Sequence, residues 1–117
     1  MTDRRATLHL TEELVRAYSR RGNFHSDPQT ASALGMPGLV AQGVQATGPA
    51  YNLLLDAWGE EFLAHGELDV RFVGMVVAGD EIDARVELDD GAATATIEVT
   101  NTTAGRTAVV GTAAAGS

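Results

Sequence analysis

The sequence predicts an α+β fold, with a helix-rich first half and a meander of strands in the second. Three observations carry that expectation. From about residue 42 to residue 64, Val44, Ala50, Tyr51, Leu54, Leu55, Trp58 and Phe62 recur at near-helical spacing, the longest such pattern in the chain. Residues 68–73 and 81–88 alternate apolar with polar side chains, as half-buried strands do. Asp89-Asp90-Gly91 then reads as a hairpin turn into a further strand.

Taken in order, residues 6–10 alternate weakly and predict a short strand. Thr11, followed by Glu12 and Glu13, opens a helix with Leu14, Val15 and Tyr18 on one side, and Arg20-Arg21-Gly22 ends it. Asp27-Pro28 reads as a cap and first helical position for a short segment running to Leu34-Gly35. Met36-Pro37-Gly38 breaks the chain again. The main helix follows. Its first turns carry small residues (Gly43, Ala46, Thr47, Gly48, Ala50), which let other backbone or a ligand come close, and Pro49 is placed to bend it. His65-Gly66 marks its end. Strands over residues 92–100 and 107–113 complete the pattern, so the expected architecture is one antiparallel sheet curled around one long apolar helix.

Composition narrows the function. At 117 residues the chain is expected to form a single domain over residues 1–117, with little room for a deep pocket of its own. A substrate tunnel then forms more easily between two copies. There is no cysteine, so thiolate and disulfide chemistry are excluded. All eight basic residues are arginine, which excludes a Schiff-base lysine. A net charge of −8 argues against nucleic acid. The start lacks an apolar leader and no run approaches a membrane span, so a cytoplasmic protein without a membrane partner is expected. Five arginines fall in the first 21 residues, a basic end suited either to a phosphate-bearing carrier or to ordinary solvation.

The chemistry centres on His25. It stands just before the short helical segment, while Val40-Ala41-Gln42-Gly43 delivers a glycine to the start of the long helix. An imidazole facing the free N–H groups of a helix start makes an acid–base group with an oxyanion site. Asp27 caps the segment beginning at Pro28 and so holds the loop that aims His25. His65 at a helix end, His9 on a short strand, and the Glu60-Glu61 and Asp89-Asp90 pairs read as structural or solvated. Three histidines without shared spacing make no metal site, and nothing in the sequence asks for a cofactor. Trp58, Tyr51 and Leu54 read as core.

From about Tyr18 to about Leu88 the chain resembles the MaoC-like hydratase/dehydratase family of the hot-dog fold. The residues that carry the resemblance are His25-Ser-Asp-Pro28 with Ala31, Gly35, Val40-Ala-Gln-Gly43, and Phe72-Val73 with Gly79-Asp80. The resemblance implies a long central helix wrapped by a five-stranded antiparallel sheet, and assembly as a homodimer or a dimer of dimers. It also implies substrates carried as acyl thioesters on coenzyme A or a carrier protein. His25 is then the general acid/base, Asn23 orients water or the histidine, and Gln42, Gly43 and Val44 bind the substrate, with Gly43 at the oxyanion. Family members that hydrate enoyl thioesters carry an aspartate five residues before the histidine, in an Asp-x-Asn-Pro-x-His pattern. Here that position is Arg20, and the Asn-Pro positions are Gly22 and Asn23. A guanidinium cannot accept a proton. Three functions stay open on these residues. They are hydration or dehydration of an enoyl/3-hydroxyacyl thioester, a proton shift, cyclisation or elimination on a polyketide-like intermediate with Arg20 on an anionic group, and a non-catalytic acyl-binding partner subunit. Gly74-Met75, where such proteins often have a proline, reads as a packing difference.

Overall fold

The computed structural model describes residues 2–18, 28–35, 38–89, 91 and 93–116. Its elements are β1 (Thr2–His9), α1 (Glu12–Tyr18), α2 (Pro28–Ala33), α3 (Gly43–Trp58), α4 (Glu60–His65), β2 (Glu67–Phe72), β3 (Glu81–Leu88), β4 (Thr94–Asn101) and β5 (Arg106–Ala114). The strands form one antiparallel sheet in the order β1-β3-β4-β5-β2, wrapped around α3. This is the arrangement expected of the hot-dog fold.

Alternation decides which face of the sheet meets the helix. Ile82, Ala84 and Val86 of β3 and Ala95, Ile97 and Val99 of β4 are buried, whereas Asp83, Arg85 and Glu87 lie on the other face. The register between β4 and β5 shifts after Val99, which pairs with Val109 while Thr100 pairs with Thr107. Ala108 is the extra residue of this bulge, and Ala108 and Val109 are both buried. Such a bulge bends a strand and resets its alternation, here toward α3. Against this concave face α3 packs Ala46, Thr47, Ala50 and Leu54.

β1 begins at Thr2, four residues earlier than the alternation predicts. The extra residues Asp3-Arg4-Arg5 are stabilised by strand β3. Directly opposite pairs carry like charges (Asp3 with Glu87, Arg5 with Arg85), but the diagonals are complementary. Arg85 donates to Asp3 at 3.0 Å, and Arg5 lies 3.8 Å from Asp83. The hydrogen bond from Arg85 holds the Asp3 carboxyl below the usual aspartate range.

The helical pattern of residues 42–64 is two helices rather than one. Gly59 (φ +65°) ends α3, its N–H donating to the Leu55 carbonyl at 2.7 Å, and α4 starts at the next residue. Periodicity does not register the break because Phe62 keeps the apolar spacing. The left-handed glycine turns the chain so that the buried Phe62 packs at a tilt against both Tyr51 and Trp58, with centroids 5.3 and 5.6 Å away. Leu54 is fully buried and Tyr51 and Trp58 pack against the core, as the sequence indicates. Gly66 follows α4, but with extended backbone (φ −67°); a side chain there would collide with Phe62. At Gly74 a Cβ would run into the Thr107 carbonyl, so β2 leaves the sheet pressed against β5.

Candidate active site

Two segments meet where α3 begins. Leu39–Ala41 and Val76–Ala78 run antiparallel through a bridge between Val40 and Val77. The Ala41 N–H donates to the Val76 carbonyl and the Ala78 N–H to the Leu39 carbonyl, both at 2.7 Å. This pairing delivers an extended Gln42 (φ −66°, ψ 144°) to the first helical residue, Gly43. No side chain of Gln42 caps the helix, and its first turn carries no acidic residue. The first N–H groups of a helix lack intrahelical acceptors, and the helix dipole adds partial positive charge there.

Packing explains the glycine. The Phe72 ring of β2 lies on Gly43, where a Cβ would stand 2.6 Å from ring carbons. One turn on, the buried Thr47 donates its hydroxyl to the Gly43 carbonyl at 2.8 Å. Gln45 reaches back from α3 to donate to the Leu14 carbonyl at 2.9 Å, and Thr11 caps α1 through the Leu14 N–H at 3.2 Å. These bonds hold α1 against the first turns of α3 and place Tyr18 beside them.

Between α3 and β2 opens an apolar groove of about 380 Å³. Val44, Thr47, Gly48, Tyr51 and Asn52 form its helical wall, Leu68, Val70 and Phe72 its strand wall, and Tyr18 its outer margin. Across the Phe72 ring lies a second hollow of about 400 Å³ that reaches Gly43 and Ala46. A third, about 430 Å³, lies on the β1 side of α3 and shares Tyr18, Val44, Gly48 and Asn52 with the first. Apolar walls with a few convergent polar groups suit a largely hydrophobic ligand with one polar end.

Gln42, Gly43 and Val44 therefore come together at the start of α3, with Val44 on the groove wall and Gly43 under Phe72. His25, Asn23, Arg20 and Asp27 lie outside the described residues. The chain enters that stretch from Tyr18, which lines the groove. The sequence does not mark Tyr18, Leu68, Val70 and Phe72 as groove walls, although a glycine at a helix start implies a close neighbour. Of the N-terminal arginines, Arg5 pairs with Asp3 and Asp83, and Arg16 with Glu12, so these two are solvated surface charges rather than an open phosphate site. His9 donates from Nε2 to the Gly79 carbonyl at 3.1 Å, and His65 sits in the last turn of α4. Among the described residues no cluster of histidine, aspartate or glutamate has the form of a metal site. No described helix is long and apolar enough to cross a membrane.

The family model for the MaoC like domain matches residues 2–110. No curated protein matches the chain significantly in sequence. Among solved structures, the (R)-hydratase from A. caviae involved in PHA biosynthesis superposes with a TM-score of 0.76 at 22% identity, over 96% of this chain and 91% of that one. A MaoC-like dehydratase from Phytophthora capsici gives 0.79 at 18% identity, over 97% of this chain but only 41% of that longer one. The HadBC complex of Mycobacterium tuberculosis, a 3R-hydroxyacyl-ACP dehydratase, gives 0.69 at 20% identity, over 96% and 92%. At these identities the likeness is one of fold.

Proposed function

Because the chain belongs to the MaoC-like hydratase/dehydratase family, we propose that it is a hydro-lyase acting on enoyl and 3-hydroxyacyl thioesters. The observation that carries this reading is the uncapped start of α3 opening beside an apolar groove. In the dehydration direction His25 removes the proton at C2 of the 3-hydroxyacyl thioester. Negative charge moves onto the thioester oxygen and is stabilised by the N–H groups of Gly43 and Val44. His25 then returns that proton to the 3-hydroxyl. The enolate electrons reform the thioester carbonyl as the C2–C3 double bond forms, the C3–O bond breaks and water leaves; hydration is the reverse. Asn23 orients that water or the histidine, Asp27 holds the loop, and Gln42 shapes the turn under the acyl carbonyl. The acyl chain lies along Thr47, Tyr51 and Val70, with coenzyme A or a carrier protein outside the groove.

The free edge of β2 completes the reading. Among the described residues β2 pairs only with β5, and Leu68, Phe72 and Val73 beside that edge are exposed. An unpaired edge with apolar side chains invites a second strand. A second copy of the chain is the occupant, making a homodimer whose mass by sedimentation equilibrium is twice the 12.2 kDa of one chain. A single 12.2 kDa species at micromolar concentration argues against it.

Arg20, in place of the aspartate, favours a second reading: a specialised isomerase, cyclase or dehydratase for a polyketide-like intermediate, or an acyl-binding partner subunit. The deciding experiment follows loss of the conjugated-thioester absorbance of crotonyl- and longer enoyl-coenzyme A, with wild type beside His25→Ala. Turnover that vanishes in a folded His25→Ala variant supports the hydro-lyase. No turnover at any chain length overturns it and leaves the second reading.

A further inference from the structure

We propose that Asp80 and Asn101 are positioning residues that set the aim of the α3 N-terminus from outside the groove. The role rests on the function proposed above, which assigns the Gly43 and Val44 N–H groups to the thioester oxygen. Asn101, the last residue of β4, is fully buried, and Asp80 nearly so. The Asp80 Oδ2 accepts from Asn101 Nδ2 at 2.8 Å and from the Val77 N–H at 3.0 Å. Asn101 Nδ2 also faces the Met75 carbonyl at 3.3 Å, and its Oδ1 accepts from the Ala104 N–H at 3.0 Å. Among the described residues Asp80 has no ion pair, and its carboxyl group is met by the Asn101 amide and the Val77 N–H. A carboxylate buried in this way costs stability that an apolar pair would not, so its use is to specify geometry.

What it specifies is the path of residues 75–80. That segment carries the acceptor and donor that hold Leu39–Ala41, through the two hydrogen bonds that make up one isolated bridge. A ladder so short does not determine its own register. The Asp80 carboxylate closes a turn on Val77 and anchors that turn to β4, while the Asp80 carbonyl accepts from the Leu10 N–H at 2.9 Å. With residues 76–78 held, Ala41 is held, and Gly43 follows after one intervening residue. Misplacing a catalytic dipole by about 1 Å from such a distance can cost about a hundredfold in rate.

The test compares wild type, Asn101→Ala and Asp80→Asn, labelled with 15N, by the amide resonances of Gly43 and Val44, by kcat and KM on an enoyl thioester, and by melting temperature. Asn101→Ala is expected to move both amide resonances and to lower kcat about tenfold to a hundredfold with KM within twofold. Asp80→Asn keeps an oxygen for both donors and is expected to stay near wild type in the amide resonances and in kcat and KM. If Asn101→Ala fails to fold, Asn101→Ser takes its place. Unmoved Gly43 and Val44 resonances beside a lowered melting temperature would overturn the proposal and reduce the pair to scaffold. A wild type without hydratase activity defeats the proposed reaction instead, and the amide comparison then still decides whether the pair controls the helix start.

Discussion

The two ends of α3 are built by opposite rules. At its C-terminal end Leu54 is fully buried, and Tyr51, Trp58 and Phe62 stack where Gly59 folds α4 back on the helix. At its N-terminal end Gly43, Ala46, Thr47 and Gly48 are small, no side chain of Gln42 caps the turn, and Phe72 is 55% exposed where it covers Gly43. One end spends large side chains on cohesion. The other leaves helix-start N–H groups, small surfaces and an exposed ring beside an open groove. The contrast teaches that one helix builds the core at one end and, on the function proposed, a binding surface at the other, with the division falling near Tyr51, which meets Phe62 and lines the groove wall.

The largest expected effect lies at the cohesive end. Phe62→Ala removes a buried ring and its tilted contacts with Tyr51 and Trp58, and should destabilise the protein by about 3–5 kcal/mol in denaturant unfolding. The folded fraction should keep its specific activity. A loss under about 1 kcal/mol would break the comparison on its stability side.

At the open end the order reverses. Gly43→Ala introduces a methyl where the Phe72 ring lies, so the ring must swing aside. The expected result is a kcat/KM lowered roughly tenfold to a hundredfold, with stability changed by less than about 1 kcal/mol. Adding Phe72→Ala should restore part of the activity, since it removes the collision. Equal activity losses in the single and double variants would show that Phe72 is not the neighbour that matters.

Smallest is the outer face of the sheet, remote from both ends. The folded pKa of Asp3 lies below its unfolded value because of Arg85. The stabilisation is therefore present at neutral pH and is lost as the pH falls below about 4. Both side chains are well exposed, so wild type and Arg85→Ala should melt within a few degrees of each other at pH 7, and the gap should close as the pH falls through the folded pKa of Asp3. A gap that widens on acidification contradicts this sign.

What was legible in the sequence was local. The Thr11 cap, Pro28 as a first helical residue, and the alternation through Ile82, Ala84 and Val86 depend on neighbours a few residues away, and the structure places them as expected. The extension of β1 to Thr2 was hidden because Asp3 and Arg5 find partners some 80 residues on. The division of the helix at Gly59 was hidden because its cause is a ring stack, not a periodicity. The site divides in the same way. A glycine at the start of a helix of small residues was readable, whereas the ring that demands it lies on β2 and the polar pair that steadies it joins Asp80 to β4. His25, Asn23, Arg20 and Asp27 remain readings of the sequence.

The central claim is that the start of α3 and its groove receive an acyl thioester. The most direct measurement titrates 15N-labelled protein with a saturated, unreactive acyl-coenzyme A and follows every assigned amide. The account predicts saturable shifts at Gly43, Val44, Thr47 and Tyr51, with free coenzyme A moving them far less. Shifts confined to the β1 side of the helix, around Ala6 and Asp56, or no saturable shift at any chain length, would contradict it.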